Sequence, residues 1–419
     1  MQLPDRVYTY VAIKRPGIFE CPKQYIEERR NTMDKDLQKQ TDVKNKGGKN
    51  EIPKLGDTPK DKKPDKQEDK IKKARNRYSM LILKVMGAIL GALIVAFGIT
   101  LIVAGVKHKK LLKEEARFMM PPGQMVEVDG HNIHVLRQGD SSSQHTLVFI
   151  SANRVVDDSI VLQPLFDSLS DYELIYVDRC GVGYSDDTDS PKDIDSILEE
   201  TRTAVKAVSD SDKYVLVAAQ SGGVEATYWA CKYKDEVEAV IGLQMFLPQQ
   251  YKNMDDDAYG GFGNEVMLRL VKLGAHRLSD TGTVTDNYNL YTKDQMARRN
   301  ALIAKNRYTR GMINEDAMLV KNAKKVAEMA WPETVPMYLI YANPYMDPYL
   351  HENDDLVENY EELVANNEGR KPEEDYNAYY REYEKTYSNV KVEEMSGPDR
   401  LVVYNPQKIA EYIENYLDK

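Results

Sequence analysis

Cysteine is scarce in this chain of 419 residues: there are three, Cys21, Cys180 and Cys231, far apart in the sequence. Their number and scatter exclude a disulfide framework and a cysteine-built metal cluster. They read as ordinary thiols, and no metal or other cofactor is expected. Histidine is limited to six residues, none of them beyond His351. Aromatic side chains are missing from residues 34–77, which are rich in Lys, Asp, Asn, Gln and Pro. Such a composition cannot bury enough apolar surface to offset the entropy of ordering, so residues 1–77 are expected to be a disordered, charged tail.

Charge is divided unevenly along the chain. Residues 1–117 hold 27 Lys+Arg and 15 Asp+Glu, which leaves 57 − 27 = 30 basic and 67 − 15 = 52 acidic residues for 118–419. The first part is near +12 and the second near −22, and a domain so acidic lacks the basic surface that nucleic-acid binding needs. Between the two lies one long uncharged run, Val85–Val106, "VMGAILGALIVAFGITLIVAGV". Its length matches the ~20 apolar residues that a helix needs to cross a bilayer, and it exceeds the apolar region of a signal peptide. A single transmembrane helix is assigned to 78–106. Its Gly87 and Gly91 form a GxxxG spacing, a candidate homodimer contact. The heavier basic flank precedes the helix, which places the N-terminus inside and the large domain outside the cell membrane. An outward-facing domain with so little cysteine points to a bacterium.

Beyond the helix the patterning is regular. "MVEVDGHNIHVLRQG" alternates apolar and polar residues around Asp129-Gly130, a hairpin signal. Short apolar runs follow, "TLVFIS", "ELIYVD", "YVLVAA" and "VEAVIGL", separated by helical patterns such as "DIDSILEETRTAVKAV". Strands alternating with helices imply an α/β domain with a doubly wound, mostly parallel sheet. Residues 249–334 interrupt the alternation with charged, mostly helical sequence, so the sheet is divided between 118–248 and 335–419.

Two stretches carry a family resemblance. "YVDRCGVGYSDD" resembles the D-x-x-G-x-G-x-S loop that follows the fourth strand of α/β-hydrolases, and "SGGVEATYWACKYKDEV" is similar to their S-M-G-G-x-x-A helix. The resemblance covers most of residues 124–419. It implies the α/β-hydrolase fold with 249–334 as a helical lid. It also implies a catalytic serine at a sharp strand-to-helix turn, a histidine, an acid, and backbone donors for an oxyanion.

The residues at those places depart from the pattern. Laid without gaps on the family's turn, "VLVAAQSGG" puts Gln220 at the nucleophile's position and Ser221 one residue later. A register shifted by one residue would instead make Ser221 the nucleophile. Seven residues before Pro406, where the family holds its histidine, stands Asp399, an aspartate whose ordinary pKa near ~3.9 suits it poorly to deprotonate a serine. Asp347, after the seventh strand, is the candidate acid, with Gln244 at the other place some branches use; His351 reads as a loop residue. The oxyanion loop carries Ser151-Ala152 in place of His-Gly, with the N–H of Ser221 as the second donor. Outside this set, Tyr376, Tyr379, Tyr380, Tyr383 and Tyr387 form a stripe expected to pack on the domain, and "YGGFG" at 259–263 reads as a lid hinge.

The sequence therefore supports a membrane-anchored α/β-hydrolase-fold protein with catalysis lost or impaired and a binding role, for a small molecule, peptide or lipid. Two alternatives stand beside it. One is a working serine hydrolase of esters or amides using Ser221. The other is an anchor or signalling protein acting through its N-terminal tail.

Overall fold

A computed structural model describes residues 66–278, 284, 286, 289–343, 378–396 and 401–417. The chain divides into two units, residues 1–84 and 85–419. Helix α1, Lys66–Glu115, is long and apolar enough to cross a membrane. It begins before residue 78 and continues past 106, because the charged flanks contain no Gly or Pro between Lys66 and Met86 and are built from good helix formers. Of the expected disordered tail, residues 1–65 lie outside the described residues, whereas 66–77 are helical.

Among the described residues, eight strands form one sheet: β1 Gln124–Val128, β2 His131–Gly139, β3 Thr146–Ile150, β4 Glu173–Val177, β5 Tyr214–Ala219, β6 Val237–Leu243, β7 Met337–Asn343 and β8 Val390–Ser396. Their order is β1-β2-β4-β3-β5-β6-β7-β8. β2 is antiparallel to β1 and β4, and every other pairing is parallel. The β1–β2 turn is made by Asp129 and Gly130, both at positive φ (47° and 80°), as a type I′ hairpin requires. β3 and β4 are buried at every residue, which is why, beyond their first residues Thr146 and Glu173, they read as continuous apolar runs.

Helices cover both faces. α3 (Gln163–Ser168) and, from the C-terminus, α11 (Pro406–Leu417) lie with one core; α4 (Ile194–Lys206) and α5 (Gly222–Lys232) lie with the other, while Ile160 of the short α2 (Asp158–Val161) packs with Tyr184 and Leu302. Along β5 the alternation is direct. Tyr214, Leu216 and Ala218 enter the α5 core, while Val215 and Val217 enter the α11 core. Between β6 and β7 stand α6 (Phe262–Lys272), α7 (Lys293–Lys305) and α8 (Arg310–Ala327), in the lid position. After β7 come α9 (Ala378–Thr386), which precedes β8, and α10 (Leu401–Tyr404), which precedes α11.

α9 carries the tyrosine stripe. Tyr380 and Tyr383 are buried, and the Tyr380 hydroxyl donates to the Met245 carbonyl at 2.8 Å. Tyr387 packs against the Tyr383 ring, Tyr379 stays exposed, and Tyr376 lies outside the described residues.

Candidate functional site

The strand order reverses between β3 and β5, which makes the cleft beyond their carboxyl ends the switch point where ligands of open α/β sheets bind. Two turns meet there, one after each strand. After β5 the chain turns sharply into α5. Ala219 ends the strand, Gln220 takes φ +44°, Ser221 is already right-handed helical, and α5 begins at Gly222. Non-glycine residues seldom adopt positive φ, and where they do the surrounding structure must hold them. Here the backbone holds the turn: the Gln220 N–H donates to Gln244 O at 3.2 Å, and Gln220 O accepts from Phe246 N–H at 2.8 Å and from Gly223 N–H at 3.0 Å. A Cβ on Gly222 would stand 2.4 Å from Ile150 O, and one on Gly223 would stand 2.5 Å from Phe246 O. The tip of the turn is therefore Gln220, and the two glycines let α5 press against the loops beside it.

Gln220 and Ser221 face different surroundings. The tip borders a cavity of about 50 Å³, whose apolar wall includes Phe149, Val155, Leu162, Leu243 and Leu401 and whose polar members include Ser151, Asp158 and Gln220. Among the described residues the Gln220 carboxamide has no hydrogen-bond partner. Ser221 instead borders a space of about 10 Å³ with Arg179, Glu225, Glu315 and Asn322. Its Oγ accepts the Asn153 N–H at 3.1 Å. Asn153 belongs to the turn after β3, the source of one oxyanion donor in hydrolases of this architecture, so that N–H is engaged by the serine side chain. Ser151 and Ala152 are buried, and Ser151 O accepts from Arg179 Nε at 3.0 Å.

A buried ionic cluster lies under Ser221. The Arg179 guanidinium bonds Glu225 Oε2 of α5 at 2.5 Å and Glu315 Oε1 of α8 at 2.9 Å. Glu225 Oε1 has no partner among the described residues. Burial pushes the Glu315 carboxyl up to about 7 against the pull of Arg179, and the neighbouring Glu225 charge adds to the push. Next to it, Asp316 of α8 bonds Asn153 Nδ2 at 2.5 Å and pairs with the guanidinium of Arg154, a residue at φ +72°. The lid helix thus grips the turn after β3 and the loop after β4 through charged groups.

Asp347, His351 and Asp399 lie outside the described residues. Gln244 is buried at φ +52°, and its side-chain oxygen accepts the Ala342 N–H at 2.5 Å, which pins the end of β6 to β7. No histidine is within hydrogen-bond distance of Ser221 among the described residues. A histidine–aspartate pair does exist, His134 Nδ1 to Asp178 Oδ2 at 2.7 Å, but both side chains are wholly buried. Asp178 also accepts from the Tyr176 hydroxyl and the Tyr184 N–H, so it organises the loop after β4. Sequence reasoning did not single out Asn153, Arg179, Glu225 or Glu315. The one available signal was a carboxylate, Glu225, inside the apolar helix "GGVEATYWA".

The order of strands, the single antiparallel strand among the central ones, the β5 turn and the inserted lid decide the architecture. The domain has the α/β-hydrolase fold. A Burkholderia cenocepacia protein, Cfl2, superposes with a TM-score of 0.50 at 12% identity, over 70% of this chain and 94% of that one. The epoxide hydrolase VrEH1 of Vigna radiata gives 0.49 at 15% identity, over 70% and 97%. In sequence, the chain is 24% identical over 342 residues to the uncharacterized protein YbdG of Bacillus subtilis (strain 168), which covers 81% of this chain and 98% of that one. No family model matches the chain.

Proposed function

We propose that this α/β-hydrolase-fold domain binds a small ligand at the β5 turn without acting as a serine hydrolase, and that α1 anchors it in the cell membrane with the domain outside. The observation that carries the reading is the placement of Gln220 at positive φ on the tip while Ser221 lies one residue beyond, its hydroxyl taking the Asn153 N–H. A carboxamide cannot be deprotonated to a useful nucleophile, and Ser221, with no imidazole beside it among the described residues, lacks the base that would activate it. Gln220 is well suited to recognition, since its amide both donates and accepts. The adjoining apolar wall suits a ligand with a short hydrocarbon part and a polar head.

The test uses the full-length protein in detergent with a fluorophosphonate probe, which labels activated serines. The expected result is no labelling. Labelling that Ser221→Ala abolishes would replace this reading with the active serine hydrolase. Gln220→Ser alone is expected to restore little esterase activity, because the sequence carries an aspartate, Asp399, where the family's histidine is expected, and a carboxylate is too weak a base for a serine hydroxyl. The orientation has its own test. Protease added to intact cells should remove the domain, and removal only after permeabilisation would invert the topology.

A further inference from the structure

The lid carries an apolar surface that the proposed function does not use. On and around α6, Phe262 is 83% exposed, and Val266, Met267, Leu273 and Leu278 are also exposed, while Leu268 and Val271 of the same helix are buried. Phe262, Val266 and Leu273 follow helical spacing on one outward stripe, and Arg269 and Lys272 are exposed on the same helix. Isolated exposed apolar residues need no explanation, but a contiguous set along one helix marks a surface that meets something.

What it meets is indicated by the contact at its C-terminal end. Gly274, at φ +80°, closes α6 directly against α1: a Cβ there would stand 2.5 Å from the His108 Cβ and 2.8 Å from Ala104 O. Ala104 is fully buried, and Leu273 O lies 3.6 Å from the Cβ position of Gly105. Polar contacts lock the joint. Arg277 forms a bidentate pair with Glu115 at 2.6 Å, and Lys107 Nζ donates to Arg277 O at 2.9 Å. The apolar run of α1 ends at Val106. The end of α6 is therefore fixed within one turn of the level at which α1 would leave the hydrocarbon, and Lys107, Lys109, Lys110 and Lys113 follow at headgroup height.

We propose that α6 is a second membrane contact: it lies along the bilayer surface with Phe262, Val266 and Leu273 in the headgroup–acyl boundary, and Arg269 on the same stripe and Lys272 beside it extend their charged ends to the headgroups. An amphipathic helix with bulky apolar residues on one face and basic residues beside them has the character of an interfacial helix. This rests on the reading that α1 crosses the bilayer. Its consequence is that the lid is held at the membrane surface from both ends of α6, which sets the lid's height above the lipid.

The test places tryptophan at single positions in the full-length protein, in nanodiscs of phosphatidylcholine with phosphatidylglycerol, with and without bromine on the acyl chains near the headgroup. The two native tryptophans, Trp229 and Trp331, are buried and give a constant background. Phe262→Trp is expected to emit at shorter wavelength than an exposed tryptophan in water and to lose most of that emission in brominated discs. Leu93→Trp, inside the apolar run, reports separately on α1. Quenching at residue 93 with none at 262 overturns the α6 contact and leaves the anchor intact. Absence of quenching at both overturns the anchor and the α6 contact together. Because Phe262 is so exposed, its replacement by another aromatic leaves the fold undisturbed, and an unchanged thermal transition would verify that.

Discussion

The two neighbours at the β5 turn differ more in surroundings than in chemistry. Gln220 borders an apolar cavity and makes no side-chain hydrogen bond among the described residues. Ser221 borders a pocket of charge in which Arg179 is held between Glu225 and Glu315, and its own hydroxyl holds the Asn153 N–H. A side chain free at a cavity wall is available to a ligand. One whose hydroxyl holds the turn after β3, beside a buried network that joins α5 to the lid, serves the fold. On the function proposed above, the serine of this turn falls on the structural side of that division, and the glutamine on the functional side.

The largest effect that sharpens the comparison should come from Arg179→Leu. Removing one partner of a buried ion cluster leaves the others uncompensated and typically costs ~3–5 kcal/mol, here with two glutamates left facing each other. Gln220→Ala should change stability by no more than ~0.5 kcal/mol, as is usual away from such networks. Urea denaturation of the two variants in detergent measures the contrast. Similar costs at both positions would mean that the tip is as structural as its neighbour.

The second effect is on pH dependence. Burial raises Glu315 from 4.5 to about 7, so the folded state holds a proton that the unfolded chain releases. The stabilisation is complete below pH 4.5 and is lost as pH rises through about 7. Its upper bound is roughly 3 kcal/mol, because each tenfold gain in proton affinity on folding is worth about 1.36 kcal/mol. Arg179, Glu225, Lys192 and Asp316 are the charged groups acting on it. Glu315→Gln should flatten the stability curve over this window, and a slope unchanged by the substitution would remove Glu315 as its source. A third effect, ~1–3 kcal/mol as for overpacked interiors, is expected for Gly222→Ala, whose Cβ would meet Ile150 O. Its loss of stability should come without any change at Arg179, which a double-mutant cycle can read.

Much of the fold was legible because its signals are local. β3 to β7 are short, largely apolar runs in which Thr146, Glu173, Glu238 and Asn343 are the few polar residues, and the Asp129-Gly130 turn has a sequence signature of its own. Gly222 and Gly223 keep register with the family's turn and point to Gln220, the residue that takes φ +44° between β5 and α5. What could not be read were the relations that exist only after folding. Arg179, Glu225 and Glu315 come from a loop, a core helix and the lid, and nothing in their local sequence says that they converge. The contact of Gly274 with His108 joins segments more than 160 residues apart. The full length of α1 was not legible for a different reason: hydropathy marks where a helix is apolar, whereas the hydrogen-bonded ladder continues through flanking charged residues of good helix propensity.

The smallest effect is the one that tests the comparison most directly. Ser221→Ala removes an acceptor from the Asn153 N–H and nothing else, since the methyl group fits where the hydroxymethyl stood. The loss should be about 1 kcal/mol, the usual net worth of one hydrogen bond, and solvent near this partly exposed turn can take over the freed donor. Fluorophosphonate labelling should be absent before and after the substitution. Ligands that occupy the Gln220 cavity should keep their affinity within about twofold, because about 1.4 kcal/mol is needed for a tenfold change and Ser221 borders a different space. If Ser221→Ala instead abolished labelling or binding, the hydroxyl would be acting on ligand. The division between a structural serine and a functional glutamine would then have to be reversed.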